Sequence, residues 1–309
     1  MTSVGIVSLG LHLPGEPVGN ETVAVTSGAD AAWMEERIGI RARHYARPHE
    51  KAASLAVRAA AGVLERTQVT PDLIVLATVT PDRPVPATAC FVQDRLGLTG
   101  VPAFDVNSAC SGFIYALACA HGMVRTGLSR TPLVIGADTF THVVDPADRR
   151  TAPLFGDGAG AVQLAPVPDG YGILAIELWA EGSQAMHATV PCGSWFEMDG
   201  RGVTKVVMAM GPEILHRALD RAGVRLDQLD RVIVHQANPR LVRQLAELMD
   251  LDEGVVPAYG VSTGNTASAS VPITLAMSDR ERPFRRGDLV AMVAVGAGMT
   301  AAAAVLRWY

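Results

Sequence analysis

With 309 residues, 49% of them hydrophobic and 18% charged, the chain has material for one large core or two smaller ones and is neither disordered nor fibrous. A formal net charge of −5 and a pI near 5.9 supply no basic field for nucleic acid, and no run of like charge is long enough to act as a tail. Cys90, Cys110, Cys119 and Cys192 are irregularly spaced, fitting neither a disulfide framework nor paired zinc knuckles, so a reduced, cytoplasmic setting without structural metal is expected.

The apolar start around Val4, Ile6 and Val7 has no basic segment before it, and the glycines and prolines after it do not make a signal-peptide core, so no export is expected. Residues 54–72 form an Ala/Leu-rich amphipathic pattern, a short polar turn and an aspartate, leading into Leu73-Ile74-Val75-Leu76. Residues 212–230 repeat that pattern and lead into Arg231-Val232-Ile233-Val234. At the same offset of 158, Asn107-Ser108-Ala109-Cys110 lies over Asn265-Thr266-Ala267-Ser268, and Leu133-Val134-Ile135-Gly136 over Ala291-Met292-Val293-Ala294. Segments sharing one ungapped offset point to an internal duplication.

Each half reads as helix, buried strand, small-residue helix, buried strand, and the strands lack polar alternation, as when helices cover both faces of a sheet. The expected class is α/β, with halves at 1–165 and 170–309 joined at Pro166-Val167-Pro168-Asp169-Gly170 and the active site between them. Residues 181–202, without periodicity, are expected to wrap the surface near that site. Residues 289–306 carry no charge over roughly the ~18 residues of a membrane span. Gly296 and Gly298 interrupt the run, which predicts two short buried strands around a glycine turn and no membrane association.

Cys110 sits where an apolar strand gives way to a helix, a place where free N–H groups and the helix dipole favour thiolate. The other three cysteines are expected to pack as small hydrophobes. His235 ends a buried strand, where open α/β folds gather catalytic groups. Asn265, alone, would read as a helix N-cap, but its duplicate position is Asn107, beside the cysteine, which places it facing Cys110 across the two halves. Cys, His and Asn in that order also describe papain-like hydrolases, yet the aromatic signature around a protease cysteine is absent and a duplicated α/β chain is not that scaffold.

Ala109-Cys110-Ser111-Gly112-Phe113, Phe155-Gly156-Asp157-Gly158-Ala159-Gly160, His235-Gln236-Ala237-Asn238, Gly264-Asn265-Thr266 and Gly296-Ala297-Gly298 together span most of the chain. In that order they resemble the β-ketoacyl-acyl carrier protein synthase III branch of the thiolase-like condensing enzymes. The resemblance implies a layered αβαβα fold and a homodimer that buries the strand near Cys110. It implies an acyltransferase in which Cys110 takes an acyl group from acyl-coenzyme A, with the N–H groups of Cys110 and Gly298 as the oxyanion hole. A malonyl thioester then loses carbon dioxide, His235 and Asn265 donate to the enolate oxygen, and the enolate attacks the acyl-cysteine, lengthening the chain by two carbons. No metal or redox cofactor is implied.

The same resemblance matches Trp33, Arg37 and Arg149 to positions that grip coenzyme A, by stacking and by contacts to phosphate. The Gly-rich run at 155–160 lacks the Lys-Ser/Thr ending of a phosphate loop and is expected to pack against the core. Arg240 matches a carrier-protein docking position. Glu247 and His216 stand where lysines are usual, which weakens attraction for an acidic carrier, with Arg217 and Arg243 nearby to compensate. Val85 falls where an aromatic cap from the partner subunit often closes the acyl pocket, implying a longer or branched acyl group, while Phe140 narrows another wall. These departures lean towards polyketide or other natural-product biosynthesis over fatty-acid initiation. The rivals are a non-decarboxylating acyltransferase of the same fold, making an ester or amide, and a non-catalytic chain-length partner subunit.

Overall fold

The computed structural model describes residues 3–309. Nine strands build its main sheets: β1 (Ser3–His12), β2 (Ile74–Ala77), β3 (Ala103–Val106), β4 (Leu133–Asp138), β5 (Gly158–Val167), β6 (Gly172–Ala180), β7 (Arg231–Val234), β8 (Leu289–Gly296) and β9 (Thr300–Arg307). One sheet runs β1-β5-β4-β2-β3 and the other β7-β8-β9-β6. The five longest helices are α1 (Ala52–Thr67), α2 (Gly112–Arg125), α3 (Gly200–Ala222), α4 (Pro239–Leu248) and α5 (Ser270–Glu281).

Side-chain alternation distributes these strands between apolar layers. Val75, Ala77, Val134 and Val162 point to a central layer with Phe113 and Leu117 of α2 and Val271 and Leu275 of α5. Their neighbours Ile74, Leu76, Leu133 and Ile135 point outward, onto Leu55, Ala59 and Val63 of α1. In the second sheet Ile233, Met292 and Ala304 face the central layer, and Val232, Val293 and Val305 face α3 and α4. The result is a five-layer αβαβα arrangement. It explains why the sequence shows no polar alternation in these strands: both faces are dry, and burying such surface stabilises by roughly 25 cal/mol per Å².

The duplication is written into strand register. Ile74 pairs with Leu133 in the parallel ladder of β2 and β4, and Val232 pairs with Ala291 in that of β7 and β8, each position 158 later. β3 has no strand counterpart in the second sheet, where one backbone bond from Val232 N–H to Val255 O (2.9 Å) stands in place of the Ile74 N–H bond to Pro102 O (2.8 Å). The charge-free run at 289–306 is the antiparallel pair β8 and β9, as its glycines suggested. Among the described residues no helix is long and apolar enough to cross a membrane.

One boundary and one burial expectation differ from the sequence reading. α3 begins at Gly200, capped by the Asp199 side chain, and carries Pro212 within it instead of starting there. Cys90, Cys119 and Cys192 are exposed, not packed.

Candidate active site

Cys110 lies in a single 3-10 turn, Ala109–Ser111, that feeds α2. The turn is tight enough that Ala109 adopts φ +45°, a conformation costly for any residue with a Cβ. Gly296, at the end of β8, backs directly onto it: a Cβ there would lie 2.7 Å from the Cys110 nitrogen and 3.0 Å from that of Ser111. Gly298 has φ +129°, open only to glycine, so the loop between β8 and β9 can hold its backbone at the cavity wall.

His235 follows β7, held by its N–H to Val293 O at 2.8 Å, and is buried. Burial pushes the imidazole down to about 4, so the ring is neutral at physiological pH, and its Nδ1 has no hydrogen-bond partner. Asn265 is fixed from both sides by backbone: its N–H donates to Leu154 O (2.8 Å), and its carbonyl accepts from Gly156 (3.0 Å). Its Oδ1 accepts from Ala267 N–H at 2.9 Å. That bond assigns the oxygen end of the amide, and the NH₂ end is left to donate elsewhere.

Cys110, His235, Asn265 and Gly298 line one cavity of about 640 Å³. Phe140, Phe155 and Phe196 close one side, Phe140 stacked on Phe155 at 4.3 Å and Phe196 edge-on to both at 5.2 and 5.1 Å. Phe196 belongs to the irregular segment at 181–202, which forms a 3-10 turn (Gly182–His187) and a small hairpin and supplies Thr189, Val190 and Met198 to the walls. The Gly-rich run packs as expected: a Cβ on Gly156 would meet Thr263 O at 2.4 Å, and one on Gly160 would meet Pro272 and Ile273 at 2.7 Å.

The expectation of an activated thiolate needs correction. Burial, reinforced by the negative field of Asp138, pushes the Cys110 thiol up to about 12, while a hydrogen bond from the residue's own backbone acts in the opposite direction. The resting group is therefore the thiol. Neutral His235 lines the same cavity.

Two residues that support this site went unnoticed in the sequence. Asp138, wholly buried at the end of β4, accepts from the hydroxyls of Thr78 (3.0 Å) and Thr80 (2.8 Å), from Val79 N–H (2.8 Å), and from Ser268 through both N–H (2.9 Å) and hydroxyl. It thereby ties β2 and β4 to the turn that carries Asn265. Arg43, with no solvent exposure, donates to Asn20 Oδ1 and Pro153 O, both at 2.7 Å, and its Cβ packs against Gly156 and Gly264 beside Asn265. A lone Asp ending an apolar strand was the only signal for the first; the second had none.

The remaining candidates lie outside the cavity. Trp33 is 38% exposed on the short helix Ala31–Arg37, and Arg37 and Arg149 are exposed. The chain after that helix reaches α4, since a Cβ on Gly39 would sit 3.1 Å from Pro239, next to exposed Arg240. Gly39, two residues after Arg37, thus lies beside the start of α4. Val85 is 80% exposed and lines no part of the cavity, whereas Phe140 does. Among the described residues no cluster of His, Cys, Asp or Glu is placed to hold a metal ion.

Residues 104–182 match the family described as 3-oxoacyl-[acyl-carrier-protein (ACP)] synthase III, and residues 219–308 match its C-terminal part. The chain belongs to this family. It is 36% identical to the β-ketoacyl-[acyl-carrier-protein] synthase III of Desulfitobacterium hafniense across 100% of this chain and 98% of that protein. The crystal structure of 3-oxoacyl-[acyl-carrier-protein] synthase III from Aquifex aeolicus superposes with a TM-score of 0.96 at 38% identity, covering 99% of this chain and 100% of that one. The priming β-ketosynthase of the R1128 polyketide pathway superposes with a TM-score of 0.94 at 31% identity, covering 99% and 96%. The fold is therefore thiolase-like, and the protein is an acyltransferase of the condensing class.

Proposed function

We propose that the chain loads an acyl group from acyl-coenzyme A onto Cys110 and condenses it with a malonyl thioester, decarboxylating the latter, in fatty-acid biosynthesis. The observation that carries the reading is the orientation of Asn265, whose Oδ1 is occupied by Ala267 N–H so that its amide presents a donor. With a neutral His235 in the same cavity, the site offers two uncharged donors for an enolate oxygen, a requirement of decarboxylative condensation and not of simple acyl transfer. In the first half-reaction the Cys110 thiol passes its proton to neutral His235 as the sulfur attacks the thioester carbonyl, the oxyanion is held by the Cys110 and Gly298 N–H groups, and coenzyme A leaves as the thiol with that proton returned from His235. In the second, the malonyl carboxylate departs as carbon dioxide and the enolate carbon displaces Cys110 from the acyl group.

The fatty-acid assignment is supported by relatives named β-ketoacyl-[acyl-carrier-protein] synthase III at 36–39% identity; the polyketide-priming enzyme is 31% identical. Trp33, Arg37 and Arg149 are assigned to coenzyme A and Arg240 to an acidic carrier protein, on the family positions they match. Homodimerisation through β3 is proposed because that strand ends its sheet with an unpaired edge next to Asn107.

The test is to incubate the protein with acyl-coenzyme A thioesters of different length, with and without malonyl-carrier protein, and to follow protein mass and carbon dioxide. Acylation that vanishes in Cys110→Ala, with a turnover loss on the order of 10⁶-fold as for other deleted nucleophiles, and a product two carbons longer are expected. Acylation without malonyl-dependent carbon dioxide release would overturn the condensation step and leave acyl transfer to another nucleophile.

A further inference from the structure

A second cavity, of about 480 Å³, opens at the opposite end of β7 from His235, between α4, the segment 253–259 and the end of α5. Its inner wall carries Arg231, which is 95% buried by its 5% exposure and has no acidic partner within ion-pair distance among the described residues. The guanidinium makes one hydrogen bond, from Nη2 to Arg282 O at 2.9 Å, and lies over the Phe284 ring at 5.4 Å. Its Nε is buried with no partner. A guanidinium stays charged at any physiological pH, and a charge taken from water without a counter-ion is expensive. An anion entering the cavity supplies what the protein omits.

The rest of the cavity limits which anion fits. Arg243 and Arg282 reach its edge from exposed positions, and Glu253 and Glu281 stand there too. With Arg231, three cations face two anions, so the excess is a single positive charge. Glu281 is also engaged by the Tyr259 hydroxyl. Pro239, Val242, Ala246, Val256 and Pro257 make the walls largely apolar. A polyphosphate would be repelled by the glutamates, and a bare inorganic ion would leave the apolar walls unfilled.

We propose that this cavity binds a small monocarboxylate with an apolar body, its head paired with Arg231 and its tail against Val242, Ala246 and Val256. The site is separate from the Cys110 cavity, with which it shares no lining residue, and does not depend on the reaction assigned there.

The experiment measures hexanoate binding by isothermal titration to the full chain carrying Cys110→Phe, whose ring fills part of the catalytic cavity, with the unsubstituted chain titrated beside it so that any binding in that cavity is recognised by its loss. One saturable site is expected, with hexanol, the neutral counterpart, weaker by about tenfold because a charge-assisted bond is lost. Arg231→Gln should weaken hexanoate by about tenfold, and Arg243→Ala at the exposed edge by about threefold. Circular dichroism shows whether Arg231→Gln is folded; if it is not, Arg243→Ala and the hexanol comparison decide the matter. Absence of binding, equal affinity for hexanol and hexanoate, unchanged affinity in the folded Arg231→Gln protein, or inorganic phosphate binding as tightly as hexanoate would each overturn the assignment.

Discussion

The turn that presents Cys110 and its duplicate around Ser268 share a backbone but not a fate. Ala109 and Ala267 both take positive φ, +45° and +48°, and in each turn an Asn side chain two residues earlier accepts that alanine's N–H, at 3.3 Å from Asn107 and 2.9 Å from Asn265. Cys110 opens onto the 640 Å³ cavity; Ser268 is wholly buried, its hydroxyl within reach of Asp138 and of Ala77 O. On the proposed reaction, the first turn supplies the nucleophile and the second the donor for the enolate. Identical local geometry is therefore not what makes a residue reactive. Access to the cavity and the groups behind the turn decide it.

The largest effect expected within this comparison comes from separating the roles of the two turns. Asn265→Asp keeps an oxygen for Ala267 N–H but replaces the free NH₂ with a second acceptor. Malonyl decarboxylation should fall by about 10²–10³-fold, the usual cost of one lost oxyanion donor, while mass spectrometry still finds Cys110 acylated. Loss of both activities together would show that the second turn positions the first, breaking the division of labour.

His235 provides a pH test of the same cavity. Its imidazole is held down to about 4 from an ordinary 6.5, so the unfolded chain takes up the proton first as the medium is acidified. The neutral ring's stability is fully present above 6.5 and is lost as pH falls through about 4. His235→Asn removes that loss, so relative to wild type the variant should gain about 3 kcal/mol between pH 6.5 and 4, read from urea midpoints. Asp157, pushed up to about 6 by burial, acts in the opposite sense and is common to both proteins, so it cancels in the difference. A constant gap between the two proteins across this range would mean the ring is solvated.

Much of this arrangement was legible because the duplication preserved register. Pairing Ile74 with Leu133 and Val232 with Ala291 requires the helices between to keep their length, so one ungapped offset carried the topology and put Asn265 opposite Cys110. The cavity walls were less accessible to sequence reading, since Phe140, Phe155 and Phe196 come together from separate loops with no shared period. Asp138 and Arg43 were missed for a related reason: their partners are backbone groups and small hydroxyls far away in sequence, which leave no motif. The three exposed cysteines were misplaced by composition alone, because a Cys in an apolar helix pattern such as that of α2 gives no sign of which face it occupies.

The smallest effect should come from the buried side of the comparison, at Ser268. Its hydroxyl has one proton and two acceptors, Ala77 O at 2.9 Å and the Asp138 carboxyl, whereas its N–H bond to Asp138 (2.9 Å) is independent of the side chain. Ser268→Ala keeps the backbone bond and the φ +48° turn at Ala267, and removes only the hydroxyl bridge. Asp138 retains donors from Thr78, Val79 and Thr80, so the loss should be about 1–3 kcal/mol, as for one buried partner withdrawn. The melting temperature should drop by a few degrees with acylation of Cys110 nearly unchanged. A loss of acylation as large as that of a deleted catalytic group, in a protein that still melts cooperatively, would show instead that the hydroxyl bridge sets the electrostatics of Cys110. The two turns would then form one coupled unit, with the buried turn tuning the exposed one through Asp138.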